Sequence, residues 1–279
     1  SNTIELVGAG TSNIIQQAMM TKSPTEIDRI KVVGEKTVEV VSRVKNLLEN
    51  AELRENILYS DRKPLTIGCV KAKIDLWLAE LSLENPEGVI FAIGRDAGIP
   101  HSSGTSSDVI TLGRTIVFDI FPCEKGGGYF HDFTRTWCVG YASDEVQKAY
   151  DQVKQTYQTV VDKLKANRLF KLAQEDTVES FHSMGHATIA DDPSTLEGYI
   201  HSMGHGVGLN IHELPFSGAT STKKEVLAPG AVFTIEPGLY YPSKDFGIRL
   251  EDTYVVRPDG AIETLVEYPM DLVIHLKNG

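Results

Sequence analysis

Apolar residues recur along the chain with two different spacings, and together they predict a mixed α+β protein. The helical spacing is clearest after Ser23-Pro24-Thr25-Glu26, where a serine cap, a proline in the first turn and a glutamate three residues later form a capping box. Apolar positions then repeat every three or four residues, which predicts a helix that ends near residue 49. The same spacing predicts helices over 70–81, over 143–164 and roughly over 176–190.

Short apolar runs bounded by turn residues predict the strands. They cover residues 88–93, 115–120, 129–139, 231–236, 247–256 and 261–266. Because helices and then strands follow one another twice, we expect one α+β domain of two similar halves over residues 23–279. Residues 1–22 carry little pattern, which indicates a connector or the remnant of a missing N-terminal domain.

Composition narrows the classes of function. The formal net charge of −11 argues against a nucleic-acid partner, which would favour a basic face. No run of about 18 apolar residues occurs, so no membrane span or membrane partner is expected. The three cysteines are odd in number and have no CxxC spacing, which favours a reducing cytoplasm over a disulfide framework.

Four acidic residues lie in or beside apolar strands: Asp119, Asp132, Glu236 and Glu251. Each acidic residue taken alone is typical of a turn or of one partner in an ion pair. Arg249, for example, could pair with Glu251 on one face of a strand. Four carboxylates in one core are harder to explain in this way, because burial of each unpaired ion costs several kcal/mol and like charges repel. Divalent cations are the simplest means of neutralising them.

A histidine completes the expected ligand set. The string His201-Ser-Met-Gly-His205 continues into a glycine-rich stretch, where a ligand can approach closely. Its near-copy, His182-Ser-Met-Gly-His186, falls in a helical pattern and is given no role. Four carboxylates and His205 suit Mn²⁺, Co²⁺, Fe²⁺ or Zn²⁺ rather than Ca²⁺. Two such ions, about 3.5–4 Å apart, would activate a shared water, whereas His212-Glu213 lacks the second histidine of the zincin motif H-E-x-x-H.

Five short strings in order along the chain resemble the M24 metallopeptidases, which include methionine aminopeptidase, aminopeptidase P and prolidase. The resemblance extends from about residue 22 to the end, and Lys22-Ser-Pro-Thr-Glu-Ile27 is similar to the start of the catalytic domain in the last two enzymes. It implies the pita-bread fold, with a curved mixed sheet covered by helices. The strings are Asp119…His131-Asp-Phe-Thr-Arg-Thr136, Gly204-His-Gly-Val-Gly-Leu209, His212-Glu-Leu-Pro215, Ile235-Glu-Pro-Gly238 and Gly247-Ile-Arg-Leu-Glu-Asp252.

The resemblance also implies a role for each ligand. Asp119 is expected to bind one metal ion, His205 and Glu236 the other, while Asp132 and Glu251 bridge the two. Glu236 would also act as the general base. Manganese is the favoured metal, with cobalt, zinc and iron as alternatives.

Four further side chains match functional positions of the family. His212 resembles the imidazole that contacts the substrate amide and its tetrahedral intermediate, and His101 resembles a second active-site histidine. His201 and Arg249 match residues that line the substrate pocket in the proline-specific members. For each histidine the alternative is a hydrogen-bonded structural residue.

The chain departs from the family pattern at one place. The family usually has glycine two residues after the first aspartate, where this chain has Phe121. The segment from Asp119 to Asp132 is also about two residues longer than usual. We therefore expect metal binding to be preserved and the pocket wall to be changed.

The substrate expected from these motifs is a peptide with proline in second position. Hydrolysis of the N-terminal Xaa-Pro bond is favoured, with prolidase activity on dipeptides as the alternative. A non-catalytic pita-bread module that binds peptides or proteins is the alternative from another class. A homodimer is expected by analogy with the proline-specific members, and methionine aminopeptidase fits less well because of the sequences at Lys22–Ile27 and His201–His205.

Overall fold

The computed structural model describes residues 14–219, 221–222 and 224–277. Within these ranges the α-helices are α1 (Ile14–Met19), α2 (Pro24–Glu49), α3 (Ile67–Glu80), α4 (Asp144–Lys163) and α5 (Lys171–Ser183). The strands of the first half are β1 (Glu52–Arg54), β2 (Ile57–Ser60), β3 (Lys63–Pro64), β4 (Leu83–Glu84), β5 (Val89–Ile93), β6 (Thr115–Ile120), β7 (Cys123–Glu124) and β8 (Phe133–Val139). Those that follow are β9 (Gly204–Gly206), β10 (Glu213–Ser217), β11 (Val232–Ile235), β12 (Gly238–Tyr241), β13 (Phe246–Arg249), β14 (Asp252–Val256), β15 (Ile262–Thr264) and β16 (Val273–Ile274).

The first half packs α2 and α3 against a mixed sheet. The sheet has the order β16-β8-β6-β5, with β16 parallel to β8 and the other neighbours antiparallel. The capping box at the start of α2 is confirmed, since the Glu26 carboxylate accepts a hydrogen bond from the Ser23 backbone N–H at 2.7 Å. Apolar side chains of α2, α3 and the sheet form one core, which includes Val41, Ile74 and Phe118.

The second half repeats the arrangement. Helices α4 and α5 pack against each other, and an antiparallel sheet has the order β10-β9-β11-β14-β15. Its core includes Tyr157, Phe170 and Phe233. A separate antiparallel ribbon, β12–β13, packs against β6 and β8 of the first half. This ribbon joins the two halves, and the two rounds of helices and strands predicted from the sequence are observed.

Two elements differ clearly from the sequence predictions. The strand predicted over 247–256 is two strands, because β13 pairs with β12 while β14 pairs with β11. The helix predicted over 176–190 is α5, which begins and ends earlier. Gly185 has a φ of +85°, which ends a helix readily.

The predicted connector is only partly described. Residues 1–13 lie outside the described residues, and residues 14–19 form α1 rather than irregular chain. α1 has only six residues, none of them buried, and a segment this short is not singled out by apolar spacing alone.

Candidate metal centre

The five predicted metal ligands converge in one cavity of about 470 Å³ between the two halves. Asp119 lies in β6, opposite Ile90 of β5 and Thr134 of β8. Asp132 directly precedes β8, and His205 lies in the middle of β9. All five side chains are buried, at 7% exposure or less.

The two glutamates occupy matching places in the second half. Glu236 follows the last residue of β11, and Glu251 lies between β13 and β14. At the first of these places the chain passes from the five-stranded sheet to the ribbon, and at the second it returns from the ribbon to the sheet. The backbone of Glu251 bridges to Thr134 of the first half, so the Glu251 carboxylate reaches the cavity across the junction.

The imidazole of His205 faces two of the carboxylates. Its Nε2 lies 3.5 Å from Asp132 Oδ2 and 3.4 Å from Glu236 Oε1. Its Nδ1 lies 3.1 Å from the carbonyl oxygen of Gly206, which leaves Nε2 directed into the cavity. Ligand atoms of Asp132, His205 and Glu251 all lie within 4.8 Å of one another, a spacing that could hold a metal ion.

Three of the four carboxylates lie in surroundings that disfavour their charged form. Burial, together with the charges of Asp119 and Glu236, raises the pKa of Asp132 well above its usual value. Burial and the neighbouring carboxylates raise the pKa of Glu251 in the same way, and burial raises that of Glu236. Burial lowers the pKa of His205 to about 3, so its imidazole is neutral and able to bind a metal.

Within the part of the chain that the structure describes, two buried oxygen atoms of the cluster have no hydrogen-bond partner. They are Asp119 Oδ1 and Glu251 Oε1. The other oxygen of Glu251 accepts a hydrogen bond from Thr134 Oγ1 at 2.6 Å, which orients the carboxylate. Buried polar atoms are rarely left unpartnered. The donor set and these two free oxygens therefore fit divalent cations.

The guanidinium group of Arg249 is held by contacts with several neighbours. One guanidinium nitrogen lies 2.5 Å from Asp119 Oδ2, and another donates to the Tyr240 hydroxyl at 2.9 Å. Its Nε also donates to Thr134 Oγ1 at 3.3 Å. The Arg249–Glu251 pair considered from the sequence is not formed. Arg249 lines the cavity and fixes one oxygen of Asp119, which leaves the other oxygen to serve as a ligand.

The three further predicted histidines lie around the same cavity. His101 Nε2 and His201 Nε2 are 3.1 Å apart, and His201 Nδ1 is 3.3 Å from Glu236 Oε2. The ring of His212 lies 4.3 Å from that of His205, centroid to centroid. Burial is the main cause that lowers the pKa of all three, so they are neutral hydrogen-bonding groups at pH 7.

The departure at Phe121 forms part of the cavity wall. Phe121 lines the cavity together with Ile90, Ile211 and Phe216. It also packs against the buried cluster that contains Ile211. Phe121 thus lies where a change of the pocket wall is expected, and the wall is apolar on this side.

A buried ion pair behind His212 was missed by the sequence reasoning. Lys22 Nζ donates to Glu213 Oε2 at 2.9 Å, and both side chains are 3% exposed. The other carboxylate oxygen of Glu213 accepts the backbone N–H of Asn210 at 2.9 Å. The pair fixes the loop that carries His212. Lys22 opens a family-like string, but nothing in the sequence indicated its partner 191 residues away.

The first histidine repeat lies elsewhere. His182 is in α5, whereas His186 follows its end, so the two histidines do not share one helix as the pattern suggested. His182 Nδ1 contacts Asp191, and the two ring nitrogens of His186 contact Tyr241 and Gln152. Each imidazole has a structural partner, and neither is near the cavity lining.

Comparison with known proteins identifies the class of this buried acidic site. The sequence matches the profile of Metallopeptidase family M24 over residues 28–258, and the chain therefore belongs to this family of hydrolases. The pita-bread fold is confirmed by the X-Pro aminopeptidase of Thermotoga maritima. Its structure has a TM-score of 0.75 and 26% identity, over 94% of this chain and 66% of that one.

The relatives belong to the branch that the motifs predicted. The chain is 33% identical to the Xaa-Pro dipeptidase of Pyrococcus furiosus over 197 residues, which are 69% of this chain and 51% of that protein. It is 27% identical to the probable dipeptidase PepE of Mycobacterium tuberculosis over 94% of this chain. The chain spans 63% of the length of the latter relative.

Among the residues described, no helix has both the length and the apolar run that a membrane crossing requires.

Proposed function

We propose that this chain is a metal-dependent exopeptidase that hydrolyses the N-terminal Xaa-Pro bond of a peptide. The observation that carries the proposal is the convergence of four buried carboxylates and one neutral imidazole, with two carboxylate oxygens unpartnered. Two divalent cations, when bound, would offset the four negative charges and supply a water nucleophile at neutral pH. Manganese is the metal we favour, with cobalt, zinc and iron as alternatives.

Each ligand has a proposed place in this centre. Asp119 would bind one ion through its free oxygen, and His205 with Glu236 would bind the other. Asp132 and Glu251 would be shared between them. Support comes from the short separations of His205 from Asp132 and Glu236, and from the hydrogen bond that orients Glu251.

The remaining side chains would handle the proton and the substrate. Glu236 would take a proton from the attacking water, and His201, 3.3 Å away, would hold the carboxylate in place. His212 lies at the open side of the cavity, where it could donate a hydrogen bond to the oxygen on which negative charge develops. His101, through its contact with His201, and Arg249, through Asp119, would complete the pocket.

We favour peptides longer than two residues. His212 and Phe216 also line a second cavity of about 720 Å³, whose other wall includes Met19 and Met20. This space adjoins the candidate centre and could hold the residues that follow proline. Prolidase activity remains the second candidate, because the related proteins of Pyrococcus furiosus and Mycobacterium tuberculosis are named dipeptidases.

A panel of peptides tests the proposal. With added Mn²⁺ or Co²⁺, we expect release of the first residue from Leu-Pro-Ala and no cleavage of Leu-Ala-Ala or Met-Ala-Ser. Cleavage of Leu-Pro alone would favour the dipeptidase. Absence of metal binding and of hydrolysis would favour the non-catalytic binding module.

The domain assignment and the surroundings of the protein are also proposals. We propose that residues 23–279 act as one peptidase domain that works as a homodimer in the cytoplasm, with peptides rather than nucleic acids or membranes as partners. Analytical ultracentrifugation of the purified chain tests the dimer.

A further inference from the structure

One carboxylate at the mouth of the candidate centre belongs neither to the ligand cluster nor to an ion pair. Glu87 lies on the turn Asn85-Pro86-Glu87-Gly88, which leads into β5 and is closed by a backbone hydrogen bond from Gly88 to Asn85 at 3.2 Å. Its side chain is exposed and lines the cavity. Among the residues that the structure describes, none forms a hydrogen bond or ion pair with the Glu87 carboxylate.

Glu87 also lies outside the charge balance of the centre. The buried carboxylates are the groups that divalent cations would offset, and one of them, Asp119, is also paired with Arg249. The other acid nearby, Glu213, is paired with Lys22. Glu87 therefore adds a negative charge at the cavity mouth. His212 lines the same cavity as Glu87.

The cavity that Glu87 borders has apolar residues in its wall. Ile90, Phe121, Ile211 and Phe216 all line the cavity that Glu87 borders. Lysine and arginine side chains have a stem that packs on apolar surface and a charged head that stays near water. An apolar wall with an exposed carboxylate at its edge matches such a side chain in both shape and charge.

We propose that Glu87 selects peptides whose N-terminal residue carries a basic side chain. This inference rests on the proposed Xaa-Pro hydrolysis and assigns its preferred Xaa. The stem of the lysine or arginine would pack against Phe121 and Ile90, and its cationic head would pair with Glu87. The α-ammonium group, which every peptide substrate carries, gives no such selection.

The test compares kcat/KM for Arg-Pro-Ala, Leu-Pro-Ala and Glu-Pro-Ala, and for the corresponding dipeptides, with the manganese-loaded chain. We expect the native protein to prefer arginine over leucine, and Glu87→Gln to lower the Arg/Leu ratio about fivefold, as for an exposed charge pair. Glu87→Lys should raise the Glu/Arg ratio above that of the native protein. Most of the change should appear in KM.

The matched control is Glu179→Gln, which removes an exposed carboxylate from α5, outside the cavity lining. It should leave the Arg/Leu ratio unchanged. If Glu87→Gln lowers kcat/KM equally for arginine and leucine peptides, the proposal is overturned. Such a result would mean that Glu87 binds the α-ammonium group or does not bind the peptide. A native protein inactive on every peptide would instead reject the proposed hydrolysis itself.

Discussion

At the scale of single residues, Glu236 combines two proposed tasks in one side chain. Glu236→Gln keeps the shape but removes both the negative charge for the metal and the base for the water. We expect kcat to fall by about 10²–10⁴-fold. The measurement is kcat for Leu-Pro-Ala at saturating manganese, with Glu179→Gln as control. A kcat within a factor of two of the native value contradicts the assignment.

His212 is expected to act on the substrate and not on the metals. His212→Ala should lower kcat by about 10²-fold, by analogy with the loss of one donor to a developing oxyanion. Metal content measured by mass spectrometry should stay at the native level, because His205 and not His212 faces the carboxylates. Loss of metal from this variant would show that its role is that of a ligand.

The Lys22–Glu213 pair predicts a loss of stability. Lys22→Met leaves the Glu213 carboxylate buried and unpaired, which should lower the free energy of unfolding by about 3–5 kcal/mol. Lys244→Met breaks the exposed pair with Glu145 and should change it by less than about 1 kcal/mol. Urea denaturation measures both. Equal small effects would mean that Lys22 does not stabilise the loop.

The role of a residue could be predicted from the sequence where it depends on neighbours that are close in sequence. For acidic residues within apolar strands, such as Asp119, the sequence predicted burial and therefore a need for cations. Lys22 and Glu87 could not be assigned in this way, because their significance depends on neighbours that are distant in sequence. The contact of Arg249 with Asp119 depends in the same way on how β13 packs against β6.

At the scale of elements, Gly34 sets how closely α2 approaches the segment before β8. A Cβ atom at this position would lie 2.6 Å from Cε1 of the buried His131 ring. Alanine in a helix usually stabilises by about 1 kcal/mol relative to glycine. Here we expect Gly34→Ala to destabilise, by about 1–3 kcal/mol, because the backbone and the ring are both confined.

A double-mutant cycle isolates this contact. In a His131→Ala background the same Gly34→Ala change should become neutral or stabilising, since the ring that it meets is gone. Thermal unfolding of the four proteins gives the coupling. If Gly34→Ala destabilises equally in both backgrounds, the contact with His131 is not the cause.

The boundaries of the elements show why the apolar pattern alone could not predict every strand. The capping box and a long apolar stripe predicted α2, and a continuous apolar run predicted β6. The pattern over 247–256 predicts a single strand, yet the segment divides at Glu251 because its two parts pair with different strands. Pairing partners are a property of the tertiary structure and leave no local signal.

At the scale of the whole molecule, the candidate centre lies between two similar halves. The first half supplies Asp119 and Asp132, and the second supplies His205, Glu236 and Glu251. Each half therefore carries part of an unbalanced negative charge, and metal ions would hold the halves together as well as serve the reaction. The five ligand residues were predicted from the motifs, whereas their place at the junction of the two halves and the shape of the cavity needed the structure.

The central claim is that two divalent ions at this junction make the chain a peptidase. The most direct test titrates Mn²⁺ into the metal-free chain and follows bound metal and Leu-Pro-Ala hydrolysis in the same samples. The account predicts that hydrolysis rises with bound metal and saturates at two ions per chain. It also predicts that Asp132→Asn lowers both. Full hydrolysis without metal, or none with two ions bound, would contradict it.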